Sequence, residues 1–244
     1  MRAHRPVASQ QLYLDLGQAD FGHVTCSECG MVYARGAPPE EKLHSAFHAA
    51  AQAAVSFKGW VAERVVWRGE SGRVVHVAPG DPPPHLAKAA AVAAHVTAAL
   101  QLPPAWLYPL PPGLPAASAV HVFLHVAPPG RVAGALFVQP LEAAHRVLPG
   151  GAGGGCLAAA RAAEAAGAGV RALWVAPAAR RHGLATRLLD LAAQRLRHAA
   201  PLPRAQLAFS QPTAAGRALA ERYSGCPAFL VYSDADLGLR AERG

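Results

Sequence analysis

The sequence predicts an α/β domain built around one mixed β-sheet, with a small metal-binding module in front of it. Hairpin patterns in the middle of the chain, followed by alternating strand and helix patterns in the carboxyl half, predict the sheet. Two cysteines and two histidines near the amino terminus, at spacings typical of zinc ligands, predict the module. A chain of 244 residues is long enough for one such domain and the module.

The candidate metal ligands are Cys26, Cys29, His44 and His48, in which fourteen residues separate a Cys-x2-Cys from a His-x3-His. Two thiolates from a tight turn and two imidazoles one helical turn apart can surround Zn²⁺ as a tetrahedron. The alternative is a redox Cys-x-x-Cys beside unrelated histidines, and the two histidines at the required offset argue against it. A segment this short would need the metal in order to fold.

A zinc module of this kind raises the alternative of a DNA-reading finger. Such fingers usually occur in arrays and carry base-reading side chains on their helix. Here the sequence holds one candidate finger, and its helical stretch, which includes Glu40, Glu41 and Lys42, is not basic. We therefore expect a structural or partner-docking finger without sequence-specific DNA binding.

The middle of the chain predicts two hairpins with a helix between them. The first covers residues 63–77, the helix 86–100, and the second 121–138 around a Pro-Pro-Gly turn. His121 and His125 are predicted to lie on the polar face of a half-buried strand. After this hairpin, a Gly/Ala-rich segment at about 149–168 is predicted to be a flexible insertion.

Residues 169–197 predict a strand, a tight basic turn and an amphipathic helix, in that order. The apolar run ends at Val175, and the turn reads Arg180-Arg181-His182-Gly183. Backbone N–H groups at the amino end of the following helix favour an anion. The small residues Gly183 and Ala185 would let the backbone approach a diphosphate closely. A further strand, a helix beginning after Thr213 and a last strand at 228–232 complete the pattern.

Composition excludes several classes of protein. No apolar run approaches the roughly 18–20 residues that span a bilayer, and the amino terminus lacks the apolar core of a signal peptide. Two of the four cysteines are isolated, at Cys156 and Cys226, which argues against a disulfide framework. We therefore expect an intracellular protein that does not enter a membrane. The net charge of +8 suits an acidic or nucleic-acid-associated partner, although biased coding can produce the same charge.

Taken together, these motifs resemble the cohesin acetyltransferases, a family that joins a C2H2-type zinc finger to a GNAT acetyltransferase domain. The resemblance covers about residues 11–233. The residues that carry it are Leu14-Asp15-x-Gly17-Gln18-x-x-Phe21-Gly22, Cys26-x-x-Cys29-Gly30-Met31-x-Tyr33, His44-x-x-Phe47-His48, Gly59-Trp60-x-x-Glu63-Arg64, Leu173-Trp174-Val175, Arg180-Arg181-x-x-Leu184-Ala185, Ala208-Phe209-Ser210-x-Pro212-Thr213-x-x-Gly216 and Phe229-Leu230-Val231-Tyr232.

The resemblance implies three segments: a disordered lead-in at 1–10, the finger at 11–58 and the GNAT domain at 59–240. It also implies transfer of acetyl from acetyl-CoA to lysines on the head of cohesin's SMC subunit, in the nucleus, on chromatin and during DNA replication. Other replication-associated chromatin proteins would then be partners, and Zn²⁺ would be structural. The implied acetyl-CoA-binding residues are Leu173, Trp174, Val175, Arg180, Arg181, His182, Gly183, Leu184, Ala185, Thr186, Thr213, Ala214 and Ala215.

The catalytic residues are where this sequence departs from the family. Relatives carry a Glu at the position of Asp190 and an Asp at the position of Gln211. We predict Asp190 as the general base and Gln211 as a substrate-positioning residue, because an amide cannot act as a base. The alternative for Asp190 is a solvated side chain paired with Arg187 or Gln194.

Two alternative functions follow from the same residues. The first is a catalytically weak finger and GNAT module that serves as a chromatin scaffold, which the amide at Gln211 favours. The second is a GNAT enzyme for another protein or for a small amine, in which the finger has no evident use.

Overall fold

The computed structural model describes residues 22–26, 28–103, 106, 120–148, 159–196, 200–210 and 212–233. The predicted lead-in, the first part of the Gly/Ala-rich segment with Cys156, and Gln211 lie outside these ranges. The chain divides into two compact units, Met1–Ala49 and Ala50–Gly244. No helix among the described residues is both long and apolar enough to cross a membrane.

The first unit contains a small antiparallel hairpin and the beginning of a helix. Strand β1 is His23–Thr25, strand β2 is Val32–Ala34, and helix α1 is Pro38–Val55. The turn between the strands carries Cys29, and Gly30 follows it at a φ of 77°, a left-handed backbone conformation that glycine adopts without strain. Glu40 and Glu41 stand in the first turn of α1, where acidic side chains are favoured by the helix dipole.

The second unit is built on a mixed sheet whose strand order is β3-β4-β5-β6-β9-β10-β11-β7-β8. Strand β10 is parallel to both β9 and β11, and the other pairings are antiparallel. Its elements, in chain order, are β3 (Val65–Gly69), β4 (Gly72–Val77), α2 (Pro83–Leu100), β5 (His121–Ala127), β6 (Arg131–Pro140), β7 (Ala143–Val147), β8 (Ala159–Ala165), β9 (Ala168–Val175), α3 (Leu184–Arg195), β10 (Leu207–Ser210), α4 (Ala214–Ser224) and β11 (Leu230–Tyr232).

Helices α2 and α3 cover opposite faces of this sheet. Neighbouring residues of β5 show the alternation, because Leu124 packs in the core cluster that contains α2 and Phe123 in the cluster that contains α3. Helix α2 buries Val92 and Val96, and α3 buries an apolar stripe that includes Leu188. The predicted mixed α/β architecture is confirmed.

Two local features differ from the sequence-based expectation. Residues 159–165, inside the segment predicted to be flexible, form the edge strand β8, which pairs with β7 and is joined to it by an Arg146–Glu164 ion pair. This strand was not predicted, because its alanine-rich sequence does not alternate between apolar and polar residues. The face of β5 that carries His121 and His125 was expected to be polar, yet His125 is only 3% exposed, because that face is covered by the α3 layer.

Candidate acetyl-CoA groove and metal centre

A groove opens in the sheet where strands β9 and β10 diverge. Their parallel pairing ends at Val170 on the β9 side, whereas β9 stays paired with β6 as far as Val175. Beyond Val170, the β10-facing edge of β9 therefore has no partner in β10. The opening is part of a cavity of about 700 Å³ bounded by β9, β10 and the amino ends of α3 and α4.

This cavity brings together most of the predicted acetyl-CoA-binding residues. His182 and Ala214 do not line it, and the other eleven of the thirteen do. Those eleven are Leu173, Trp174, Val175, Arg180, Arg181, Gly183, Leu184, Ala185, Thr186, Thr213 and Ala215.

The amino end of α3 forms one wall of the groove and is shaped to hold an anion. Gly183 precedes the helix with a φ of 75°, and Arg181 also has a positive φ, of 67°. No side chain in the described part of the chain caps this end, and the first-turn amides have no partner within the helix. Arg180 is fixed beside the turn because its Nε donates to the Val175 carbonyl oxygen over 3.0 Å. Amides and guanidinium groups together suit a diphosphate.

The amino end of α4 faces the same groove. Thr213 is its N-cap residue, and the Thr213 hydroxyl accepts a hydrogen bond from the Gly216 amide over 3.2 Å. The cap fixes where α4 begins, and therefore where Thr213 and Ala215 line the cavity.

All the charged side chains among the described lining residues are arginines. They are Arg171, Arg180, Arg181 and Arg222, and no carboxylate lies among these residues. Arg171 donates from Nη1 to Oε1 of Gln139 over 3.2 Å, and Gln139 is fully buried. Arg171 and Arg222 were not predicted from the sequence, although an arginine inside the apolar run of β9 was a usable signal. Such a lining favours a strongly anionic ligand.

The predicted base, Asp190, lies on α3 but is not among the lining residues of the groove. Its Oδ1 accepts a hydrogen bond from the Tyr223 hydroxyl over 3.0 Å, and Arg204 Nη2 lies 3.0 Å from the same oxygen. These partners differ from the Arg187 or Gln194 that helix spacing suggests. The contacts favour a structural role for Asp190, and its role as base stays a prediction, as does the role of Gln211.

The four candidate metal ligands come together in the first unit. One ligand atom from each of Cys26, Cys29, His44 and His48 lies within 4.8 Å of the others. Cys26 Sγ is 3.5 Å from His48 Nδ1. Zinc–sulfur and zinc–nitrogen bonds of about 2.3 and 2.0–2.1 Å in a tetrahedron separate these atoms by about 3.6 Å. The separation of Cys26 and His48 therefore matches that of two Zn²⁺ ligands, and the other two ligand atoms lie close enough to converge on the same ion.

Four further observations in the first unit agree with a metal centre. His44 Nε2 is buried with no hydrogen-bond partner among the described residues, as expected of an atom that would ligate a metal. The backbone N–H of Cys29 lowers the pKa of Cys26 to about 6, which favours the thiolate that binds metals. Tyr33 stacks on His44 with ring centroids 4.0 Å apart, and Glu28 lies 3.6 Å from His48, so both imidazoles are held in place.

Comparison with known families places both parts of the chain. The family model described as ESCO1/2 acetyl-transferase matches residues 164–232, which include the groove. The model described as zinc-finger of acetyl-transferase ESCO matches residues 11–50, which include the four ligands.

Individual relatives agree with these matches. Mouse N-acetyltransferase ESCO2 is 33% identical over 227 residues, which cover 91% of this chain and 37% of the relative. Human ESCO1 is 41% identical over 73 residues, which cover 30% of this chain and 9% of the relative. The chain spans 9–37% of the length of the ESCO1 and ESCO2 proteins that it matches.

Solved structures show the same fold. The structure of the xEco2 acetyltransferase domain bound to a K105-CoA conjugate is similar with a TM-score of 0.62 and 27% identity, over 70% of this chain and 98% of that one. A second structure of the xEco2 acetyltransferase domain is similar with a TM-score of 0.61 and 28% identity.

Proposed function

Because this chain belongs to the ESCO acetyltransferase family, we propose that it is a protein-lysine N-acetyltransferase that uses acetyl-CoA. The observation that carries the proposal is the groove between β9 and β10, which meets an uncapped helix end flanked by arginines. The solved relative bound to a CoA conjugate supports the same ligand. Its protein substrate would be the head of cohesin's SMC subunit, modified on lysine side chains, and this assignment rests on the family resemblance.

Each part of the groove has a separate task in this proposal. The first-turn amides of α3, with Arg180 and Arg181, bind the diphosphate of CoA. The edge of β9 that β10 leaves open offers backbone N–H and C=O groups to an extended, amide-containing arm, much as another strand would. From Val175 back to Arg171 this edge is about 13 Å long, at about 3.3 Å per residue. The reacting end of a ligand bound at α3 would then lie near Arg171 and Ser210.

Acetyl-CoA, when bound, supplies a thioester that a neutral lysine amine can attack. The protein must therefore favour loss of a proton from the lysine ammonium and stabilise negative charge on the thioester oxygen. Backbone N–H groups on the open edge of Leu173–Val175 are the candidates for the second task. For the first task, Asp190 as base and Gln211 as substrate-positioning residue remain proposals.

The finger has a structural task in the same proposal. Cys26, Cys29, His44 and His48 would hold Zn²⁺, and its binding would supply free energy to fold a unit too small to be stable by its apolar core alone. We also propose that the protein acts in the nucleus on replicating chromatin, where the family's substrate is found. Co-localisation of a tagged full chain with cohesin in replicating cells tests this part.

The second candidate function is a chromatin scaffold that binds acetyl-CoA but transfers acetyl slowly. The absence of a carboxylate among the described lining residues of the groove favours it, as does an amide at position 211. Two measurements separate the candidate functions. The first is calorimetric titration of the protein with acetyl-CoA, and the second is mass spectrometry of an SMC head fragment incubated with the protein and acetyl-CoA. Binding with acetylated lysines supports the enzyme, binding without transfer supports the scaffold, and no binding overturns both.

The substitution Gln211→Asp, run in parallel with the wild type, restores the acidic residue of the relatives. An increase in the rate of acetylation would show that the amide limits catalysis. An unchanged rate would show that proton transfer does not depend on this position.

A further inference from the structure

We propose that a second groove, separate from the acetyl-CoA groove, binds an acidic segment of a partner protein. This hairpin groove lies between the β3–β4 and β5–β6 turns and has a volume of about 460 Å³. Its lining residues include Phe57, Lys58, Arg68, Arg73 and Pro128, and none of the described residues lines both this groove and the acetyl-CoA groove.

One cation of the hairpin groove is held rigidly in place. Arg73 donates from Nε and Nη2 to the two carboxylate oxygens of Glu63, over 2.6 and 2.7 Å. Glu63 also accepts from the Trp60 amide over 3.1 Å, and the Arg73 hydrogen bonds lower the pKa of its carboxyl. The Arg73 guanidinium lies 5.5 Å from the centre of the Phe57 ring. This side-on ion pair uses Nε and Nη2, so the Nη1 donors of Arg73 are not engaged by Glu63.

The other two cations of the hairpin groove are not held in ion pairs, and the charge of Arg68 acts on Glu63 only at longer range, where it helps to lower the pKa of the Glu63 carboxyl. Lys58 and Arg68 are both exposed and form no ion pair among the described residues. Lys58, Arg68 and Arg73 carry three positive charges, Glu63 carries one negative charge, and the net charge is therefore +2. The lining residues that the structure describes include no Asp or Glu. An anionic group would complement this charge.

This groove also gives a physical reason for a motif that neither the finger nor the acetyl-CoA groove uses. The motif is Gly59-Trp60-x-x-Glu63-Arg64. A Cβ on Gly59 would lie 2.9 Å from Glu63 Oε1 and 3.4 Å from Arg73 Nη2, and the Gly59 φ is 92°. Glycine is therefore required for Glu63 to reach both the Trp60 amide and Arg73. The motif therefore positions the Glu63 carboxylate that fixes the Arg73 guanidinium in the groove.

The size and composition of the hairpin groove favour a peptide over a nucleic acid. A volume of about 460 Å³ fits one or two side chains, and exposed Pro128 and Pro129 offer apolar surface for their stems. A nucleic acid is bound through cations spread along its phosphates, and here the three cations lie within one groove. We assign the groove to the carboxylates of an acidic protein segment.

Fluorescence anisotropy with the full chain tests this assignment. The probe is a labelled peptide of alternating Glu and Gly, and the neutral reference is the same peptide with Gln in place of Glu. The variants are Arg68→Glu and Lys58→Glu, and the matched control is Arg161→Glu. Arg161 is exposed on β8, at the opposite edge of the same sheet from β3. Unchanged acetyl-CoA binding by each variant shows that the fold is retained.

We expect Arg68→Glu and Lys58→Glu each to weaken binding of the Glu peptide roughly tenfold, and Arg161→Glu to change it less than about twofold. Added salt should weaken the wild type more than the two groove variants. Equal losses in all three variants would overturn the proposal, because they would reflect net charge alone. No preference for the Glu peptide over the Gln peptide would overturn it as well. Tighter, Arg68-dependent binding of a thymidine oligonucleotide would assign the groove to nucleic acid instead.

Discussion

Tyr223 on α4 donates a hydrogen bond to Asp190 on α3, with 3.0 Å between Oη and Oδ1. Arg204 lies over the Tyr223 ring at 4.8 Å and contacts the same carboxylate. Burial, followed by the charge of Asp190, raises the pKa of Tyr223 well above its ordinary value, so the hydroxyl stays protonated and continues to donate. Asp190, which the sequence predicts as the base, therefore links α3 and α4, the two helices that border the acetyl-CoA groove.

Because of this hydrogen bond, we predict that the main effect of Asp190→Ala is a lower free energy of unfolding. Its effect on the pH dependence of catalysis should be minor. The substitution leaves a buried hydroxyl without its acceptor, at a cost of about 1–3 kcal/mol. Urea unfolding measures the loss, and kcat/KM against pH measures the catalytic part, with Tyr223→Phe as the companion variant. If Asp190→Ala removes one limb of the pH profile while Tyr223→Phe retains it, Asp190 is the base after all.

The anion site at α3 predicts a phosphate-specific loss of affinity. In the double variant Arg180→Ala/Arg181→Ala, the dissociation constant for CoA should rise about tenfold or more, because two charge-assisted contacts are lost. Binding of pantetheine, which has no phosphate, should be unchanged. Calorimetric titration of both ligands gives the comparison, and Arg161→Ala is the control for a lost positive charge. An equal loss for pantetheine would mean that the loop itself had been distorted.

The metal centre predicts one bound zinc per chain that depends on the four ligands. Cys29→Ser should abolish stoichiometric zinc and unfold the described part of the first unit, because the metal supplies its folding free energy. Metal content by plasma mass spectrometry and amide hydrogen exchange over residues 22–49 measure the two effects. Cys226→Ser is the control, since Cys226 is a free thiol in the second unit. Full zinc content in Cys29→Ser would refute the ligand assignment.

Buried histidines predict that stability falls on acidification. Burial, followed by the neighbouring His121, lowers the pKa of His76 from 6.5 to about 4. Between these pH values the unfolded chain binds more protons than the folded one. The contribution of neutral His76 to the free energy of unfolding is therefore complete above pH 6.5 and is lost as the pH falls towards 4. His76 alone should account for about 2 kcal/mol between pH 7 and pH 5.

Urea unfolding at these two pH values tests the His76 prediction with His76→Gln, and with the exposed His182→Gln as control. The first variant should lose less stability on acidification than the wild type, and the second should lose as much. The same pH dependence in His76→Gln and in the wild type would show that this imidazole is not responsible.

Local patterns predicted the parts of the site that lie close together in sequence. The spacing of Cys26, Cys29, His44 and His48 was sufficient to predict that these four side chains come together, and the order of strand, turn and helix was sufficient to predict that the turn before α3 borders the groove. Contacts between residues that are far apart in the sequence could not be predicted from local patterns. Asp190 meets Tyr223 across 33 positions of sequence, so helix spacing suggested the wrong partners. Strand β8 was missed because its side chains do not alternate in polarity.

The main proposal is that the groove between β9 and β10 holds acetyl-CoA for transfer to a protein lysine. It is tested most directly by mass spectrometry of an SMC head fragment incubated with the full chain and acetyl-CoA, in a time course. We expect acetylated lysines with the wild type, and initial rates about tenfold lower or more with Arg180→Ala/Arg181→Ala at limiting acetyl-CoA. Acetylation at the same rate by both proteins, or acetyl-CoA binding with no lysine modified, would contradict it.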